Sequence, residues 1–206
     1  MVLNCLILGK IDKMKRILAV VFLAAVLYVA YLFFFTGARH ASGPKPQAIR
    51  VQKHSALFNQ RISATLDRYV QLRDVLVTGD SMAIRGATQP FLSVLDSLDL
   101  GELKADDSTI FMTAKQQLSD IRANAQDILL QTDPHEMRED FRMVSENVYP
   151  FLKTVGYEGP RLYWITCPSA FGADLEGSWI NRSREIVNPY AARPQDKNCG
   201  EINDSL

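Results

Sequence analysis

Residues 17–35 form one unbroken apolar run, ILAVVFLAAVLYVAYLFFF. As a helix the run would span about 28 Å, close to the hydrocarbon thickness of a bilayer. Lys10, Lys13, Lys15 and Arg16 precede it, and basic residues favour the cytoplasmic side of a membrane. The sequence therefore predicts one N-terminal transmembrane helix, with residues 1–16 in the cytoplasm and the rest of the chain outside.

Two alternatives exist for this run, a permanent anchor and a cleaved signal peptide. A signal peptide has an apolar region of roughly 7 to 15 residues, followed by a small-x-small cleavage site. The run at 17–35 is longer and ends in three phenylalanines, and the sequence that follows, ARHA at residues 38–41, is a poor cleavage site. We therefore predict a single-pass membrane protein with an extracytoplasmic (periplasmic) C-terminal part. Met14 is a second candidate for the first residue, because Met-Lys-Arg before an apolar run is typical of exported chains.

Residues 36–49 are rich in glycine, proline and small polar residues, which is typical of a flexible or extended linker. The whole chain has 23 basic and 23 acidic residues, so its formal net charge is zero. A nucleic-acid-binding domain needs a basic face or stripe. The charge pattern therefore argues against a nucleic-acid partner.

Four helical patterns follow the linker and together occupy residues 50–156. Apolar residues recur every three or four positions in each pattern, as on one face of an amphipathic helix. The third has the most regular spacing: Ile110, Ala114, Leu118, Ile121, Ala125 and Ile128. Pro90 should kink or split the second helix, and Asp133 followed by Pro134 marks the start of the fourth. Because the connections are short, we predict a mainly α fold, an antiparallel four-helix bundle.

The helical spacing stops at residue 157. Residues 161–167, RLYWITC, are aromatic and β-branched and predict a short strand, and residues 178–180 are a second candidate. The rest of 157–206 is rich in turn-forming residues. This part is too short to fold alone, so we expect an irregular, partly β tail that packs Tyr163, Trp164, Phe171 and Trp179 against the bundle.

Short catalytic motifs are missing from the sequence. There is no Gly-x-Ser-x-Gly elbow, no glycine-rich phosphate loop and no pair of histidines at i, i+4 spacing. We interpret His40, His54 and His135 as surface residues. Met82, Met112, Met137 and Met143 are interpreted as core residues. The sequence thus predicts a domain that is not an enzyme.

An ordered set of residues in the fourth helix and the tail resembles an uncharacterised bacterial family of exported domains. The set is Arg138, Phe141 and Ser145, then Cys167-Pro168-Ser169-Ala170, Trp179, Asn188-Pro189-Tyr190 and Cys199-Gly200-Glu201. The resemblance runs from about residue 50 to 203. Members of the family occur alone or fused to periplasmic adaptor subunits of copper and silver efflux pumps. The resemblance implies handling of a soft metal, Cu(I) held by thiolate and thioether groups, and an efflux-related protein partner.

This chain departs from the family pattern at both thioethers. Ser169 stands where the family has methionine, and no methionine lies between Tyr190 and Cys199, although both cysteines remain. Cys167 and Cys199 have three alternatives: a disulfide, a two-thiol metal site or free buried thiols. Export to an oxidising compartment favours the disulfide. Our leading hypothesis is a non-enzymatic, membrane-anchored extracytoplasmic domain without a cofactor, linked to metal efflux or metal stress. The alternative is a Cu(I)- or Ag(I)-binding module that uses Cys167 and Cys199.

Overall fold

The computed structural model describes residues 23, 26–28, 53–105, 107–173 and 175–206. The predicted cytoplasmic segment at 1–16 and the linker at 36–49 lie outside these residues. Of the predicted transmembrane segment, only Leu23 and residues 26–28 are described, and they are helical. No helix within the described ranges is both long enough and apolar enough to cross a bilayer. The chain divides into two units, residues 1–48 and 49–206, and the second contains nearly all the described residues.

Four α-helices make up most of the second unit. They are α1 (Ala56–Leu76), α2 (Ser81–Asp96), α3 (Ser108–Leu130) and α4 (Pro134–Thr154), and a 3₁₀ helix at Gly101–Ala105 joins α2 to α3. Each α-helix begins after a residue whose side-chain oxygen accepts a hydrogen bond from a backbone N–H in the first turn. These capping residues are Ser55, Asp80, Asp107 and Asp133. The start that the sequence predicts at Asp133 and Pro134 is therefore confirmed.

Contacts at the helix ends show that neighbouring helices run in opposite directions. At one end of α1, His54 Nε2 lies 2.5 Å from the carbonyl oxygen of Val155, just after α4. At the other end, Arg138 in the second turn of α4 donates to the carbonyl of Leu76. Arg85, near the start of α2, likewise donates to the carbonyl of Gln131, just after α3. The apolar faces of all four helices meet in one core.

The proline at position 90 does not split α2, which continues from Ser81 to Asp96. A proline inside a helix removes one backbone hydrogen bond. Ile84 lies before Pro90 and Phe91 after it, and both side chains are fully buried in the core. Burial of large apolar side chains on both sides of Pro90 outweighs the lost hydrogen bond, so of the two predicted outcomes, a kink or a split, the split does not occur.

The C-terminal part forms a small antiparallel sheet. Its strands are β1 (Tyr163–Cys167), β2 (Gly177–Asn181) and β3 (Glu201–Ser205), in the order β2-β1-β3. Ile165 at the centre pairs with Trp179 on β2 and with Ile202 on β3. The first two strands confirm the sequence prediction, and the third was not predicted.

Strand β2 lies against α4 and joins the sheet to the helices. Trp179 of β2 is completely buried, and Tyr163, Trp164 and Phe171 are half-buried against the same core. The chain is thus mainly helical, with a C-terminal sheet that packs on the helices through its aromatic residues.

Candidate functional site

The two cysteines of the tail are joined in a disulfide. Cys167 at the end of β1 and Cys199 before β3 are 32 positions apart in sequence, and their Cα atoms lie 5.3 Å apart. The Cys167 side chain is 1% exposed. Of the three alternatives from the sequence, the structure contains the disulfide. In this state neither sulfur is a thiolate, the form in which cysteine binds metals.

The described residues also contain no cluster of three or more His, Cys, Asp or Glu side chains able to hold a metal ion. Within the described ranges, therefore, Cys167 and Cys199 do not belong to a three-ligand group of these residue types.

Arg138, Phe141 and Ser145 lie on the face of α4 that packs against α1, as their spacing of three and four residues requires. Phe141 stacks on the ring of Tyr69, with 5.2 Å between ring centroids. The hydroxyl of Ser145 is 2.7 Å from the hydroxyl of Tyr69. Arg138 donates to the carbonyl of Leu76 from Nε at 3.2 Å and from Nη2 at 3.0 Å. The helical part of the motif therefore fastens α4 to α1.

The hydroxyl of Tyr69 is also the point where the sheet meets the helices. It accepts a hydrogen bond from the backbone N–H of Ile180 at 3.1 Å, besides its bond with Ser145. Burial raises the pKa of Tyr69 to about 12, although both hydrogen bonds act in the opposite direction. Tyr190 donates from its own buried hydroxyl to the carbonyl of Ser178, in the same strand as Ile180. Two buried tyrosines thus hold β2 on the core.

The Asn188-Pro189-Tyr190 segment shapes the turn before Cys199. The side-chain oxygen of Asn188 accepts from the backbone N–H of Tyr190 at 2.9 Å, and its Nδ2 donates to the carbonyl of Asp196 at 3.1 Å. Its backbone N–H donates to the carbonyl of Lys197 at 2.8 Å. Asp196 and Lys197 belong to the 3₁₀ helix Pro194–Asn198, which directly precedes Cys199. Asn188 therefore fixes the segment that carries the second cysteine.

Gly200, next to Cys199, is required by close packing. A Cβ atom at this position would lie 2.8 Å from Trp179 and 2.9 Å from both Ile165 and Ile186. The cysteines, the buried tryptophan, the Asn-Pro-Tyr turn and the Cys-Gly pair thus all have structural roles in closing the tail over Trp179.

A groove opens at the end of the helices where α1 finishes and α4 begins. It has a volume of about 460 Å³ and is lined by residues from three separate parts of the chain. These are Val77, Thr78 and Gly79 after α1, Asp133, Pro134, His135 and Arg138 of the α4 start, and Ala191, Ala192, Arg193, Pro194 and Lys197 of the tail.

Arg138 lies at the inner side of this groove and is only 6% exposed. Burial lowers the pKa of its guanidinium, and the charge of Asp133 opposes this shift. An arginine remains protonated at neutral pH even after such a shift. The groove thus contains a buried positive charge.

The other charged groups of the groove are more exposed. Arg193 donates from Nε to Asp196 at 2.8 Å, and His135 Nδ1 lies 3.8 Å from Glu139. Asp133 accepts from the backbone N–H of His135. Lys197 has no ion pair among residues 53–105, 107–173 and 175–206. Cations therefore dominate the lining of the groove.

A comparison with protein families finds a match within this chain. Residues 65–158 match the model of a family described as "Protein of unknown function (DUF3347)". The match covers the helical part with Arg138, Phe141 and Ser145, and it supports an uncharacterised domain family. The tail from residue 159 onward, with Cys167 and Cys199, lies outside the matched residues.

No curated protein matches the chain, and no solved structure does.

The sequence interpretations of four single residues, one histidine and three methionines, are wrong, and His40 lies outside the described residues. His54, interpreted as a surface residue, is 7% exposed, and its Nδ1 lies 3.5 Å from Glu102. Met137 is buried as expected, but Met82, Met112 and Met143 are 74%, 59% and 36% exposed. These three methionines are not part of the buried stripe of their helices, so their hydrophobicity alone gave the wrong prediction.

The groove at Arg138 was not predicted either. Its lining comes from residues 77–79, 133–138 and 191–197, which are far apart in the sequence. The one signal available was an arginine, Arg138, among the apolar positions of the fourth helix, one position beyond the buried Met137 and three before the buried Phe141.

Proposed function

We propose that residues 53–206 form a non-enzymatic, extracytoplasmic binding domain, held at a membrane by the apolar segment at 17–35. The observation that carries this proposal is the disulfide between the buried Cys167 and the partly buried Cys199. Disulfides persist in oxidising compartments and are rare in the cytosol. The apolar run with basic residues before it supports the same placement, since it predicts export of everything that follows.

A binding role is supported by the chemistry of the groove at Arg138. Guanidinium and ammonium groups bind anions and keep their protons at neutral pH. The hydroxyl of Thr78, which also lines the groove, donates to the carbonyl of Val75 at 2.7 Å. These groups are suited to holding a ligand rather than to proton transfer or nucleophilic attack.

A link to copper or silver efflux is part of the proposal and rests on the resemblance in the tail. The specific alternative is a Cu(I)- or Ag(I)-binding module in the reduced protein. One observation favours it: the fold already brings the sulfurs of Cys167 and Cys199 together. Reduction would give two adjacent thiols, and thiolates are the ligands that soft Cu(I) prefers.

The redox state of the protein in its own compartment tests the leading proposal. The full chain is recovered without reductant, free thiols are alkylated, and peptides containing Cys167 and Cys199 are analysed by mass spectrometry. We expect one linked peptide pair with the roughly two-dalton deficit of a disulfide. Alkylated Cys167 and Cys199 would contradict an oxidised extracytoplasmic domain.

The metal alternative has a separate test. The reduced full chain is titrated with Cu(I) against a competing chelator, beside the variant Cys167→Ser/Cys199→Ser. Binding tighter than about micromolar, lost in the variant, would support the metal-binding module. Equal weak binding by both proteins would eliminate it.

A further inference from the structure

Arg138 is a buried cation without a direct ion pair in the described part of the chain. It is 6% exposed, and both of its hydrogen bonds go to the neutral carbonyl of Leu76. The charge of Asp133 acts on it, but none of the ion pairs within the described ranges includes it. Buried charges in proteins are normally paired, because an unpaired one is costly to remove from water. An anion in the groove would supply the direct ion pair that Arg138 lacks.

The free part of the guanidinium is available to such an anion. Nε and Nη2 donate to Leu76, whereas Nη1 has no hydrogen-bond partner among the described residues. Arg138 lines the groove, and its Nη1 is not among the fully buried side-chain nitrogens that lack a partner, so this nitrogen is not sealed in the core. Gly79 lies beside Nη2, where even a Cβ atom would approach to 3.3 Å. The absence of a side chain at Gly79 keeps this side of the guanidinium uncrowded.

The charges around Arg138 favour a ligand with a single negative charge. Lys197 adds a second cation to the lining, and Arg193 is already paired with Asp196. Asp133 contributes one negative charge to the same lining and would repel a dianion more strongly than a monoanion. A planar guanidinium matches a planar carboxylate, with which it forms two parallel hydrogen bonds.

We propose that this groove binds a carboxylate group, held by Arg138 and attracted by Lys197. The proposal goes beyond the function given above, since it holds whichever compartment the domain occupies. The groove volume of about 460 Å³ falls within the range of small-molecule sites. Two kinds of ligand carry such a carboxylate: a free small acid and the C-terminal end of a protein chain.

The first test compares a carboxylate with a neutral molecule of the same shape. The full chain, with its disulfide intact and in a non-ionic detergent, is titrated with butanoate, which carries one negative charge, and with butanamide. Binding is followed by calorimetry and by the NMR signals of the Gly79 amide and the Arg138 side chain. We expect butanoate to shift both signals and butanamide to shift neither. Equal effects of the two compounds, or no shift at either residue, would overturn the proposal.

Two lysine variants test the place of binding without disturbing the core. Lys197 and Lys115 are both exposed, but Lys115 lies on α3 and lines a different groove. We expect Lys197→Gln to weaken butanoate binding about three- to fivefold, the size of one partly screened charge contact. Lys115→Gln should leave it unchanged. An equal effect of the two variants would contradict the assignment.

Arg138→Gln should reduce butanoate binding at least tenfold, because it removes the buried cation. Its circular dichroism is compared with that of the native protein, since Arg138 also bonds Leu76; if this variant does not fold, the lysine pair decides.

Inorganic phosphate and the peptides Ac-Ala-Ala-Ala and Ac-Ala-Ala-Ala-amide complete the set. Phosphate binding tighter than butanoate would overturn the choice of a carboxylate. Tenfold tighter binding of the free-acid peptide than of butanoate supports the proposal with a chain end as ligand, and equal binding supports it with a small acid.

Discussion

The hydroxyl group of Tyr69 has two hydrogen-bond partners and so connects three different elements. It belongs to α1, bonds the Ser145 hydroxyl of α4 and accepts from the Ile180 N–H of β2. Because all three groups are buried, water cannot replace a lost partner. Single residues of this kind determine how firmly the tail is held on the helices.

Replacing Ser145 tests this junction. Ser145→Ala leaves the Tyr69 hydroxyl without its side-chain partner, and we expect the free energy of unfolding to fall by about 1–3 kcal/mol. Urea denaturation followed by circular dichroism gives the value. Ser119→Ala is the matched control, because Ser119 is an exposed residue within α3, and it should change stability by less than about 0.5 kcal/mol. Similar losses in the two variants would show that the bond to Tyr69 contributes nothing.

Two glycines offer a second comparison at this scale. Gly200→Ala places a methyl group within 3.0 Å of Trp179, Ile165 and Ile186, and overpacking of this kind costs about 1–3 kcal/mol. Gly86→Ala, in the interior of α2, meets no atom within 4 Å and should stabilise the helix by about 0.5–1 kcal/mol. Thermal unfolding of the two variants should therefore shift in opposite directions. An unchanged unfolding temperature for Gly200→Ala would show that the tail repacks around this position.

At the scale of secondary-structure elements, the sequence predicts what depends on local pattern. The four helices follow from apolar spacing and capping residues, and β1 and β2 follow from their aromatic and β-branched residues. Strand β3, with the sequence EINDS, contains one apolar residue, Ile202. It forms because β1 offers it a free edge, and pairing with a distant strand leaves no local signal. The groove at Arg138 was not predicted for a related reason, because its lining residues come from parts of the chain that are far apart in the sequence.

Strand β3 is also tied to α4 by an ion pair between Asp204 and Lys153, 2.6 Å apart. This bond, together with the Ser205 N–H, lowers the pKa of Asp204 from 3.8 to about 2. Since the pKa is lower in the folded protein, the contact stabilises β3 fully above about pH 4, and the effect is lost as the pH falls through 2.

Hydrogen exchange of β3 amides tests this contact. We expect their protection, relative to that of the α3 amides, to fall between pH 4 and pH 2 in the native protein. Asp204→Asn should show the reduced protection already at pH 5 and no further relative loss below it. Lys153→Gln removes the other partner and should behave in the same way. Unchanged protection in both variants would mean that β3 is held by its pairing with β1 alone.

At the scale of the whole molecule, the disulfide is a covalent bond between two segments of the tail. It joins the end of β1 to the segment before β3, across 32 positions. The sequence predicted this bond from the compartment and the two remaining cysteines. The sequence pattern did not reveal that Asn188, Gly200 and Trp179 serve to place it, because their partners lie on other elements.

Loss of the disulfide should destabilise the entire domain. Closing a loop of this size contributes roughly 3–4 kcal/mol through the entropy of the unfolded chain. We therefore expect reduction, or the variant Cys167→Ala/Cys199→Ala, to lower the free energy of unfolding by that amount. Reductant should have no further effect on the double variant. If reduction leaves the native protein's denaturation midpoint unchanged, the tail does not depend on this bond.

His54 has a mechanical consequence for the domain. The residue comes directly before α1, yet its ring is bonded to the carbonyl of Val155 beyond the far end of α4. Any tension that arrives along the chain from its N-terminal side reaches His54 before the first turn of α1. The force then acts on α1 and α4 together, so α1 does not separate from the domain by itself.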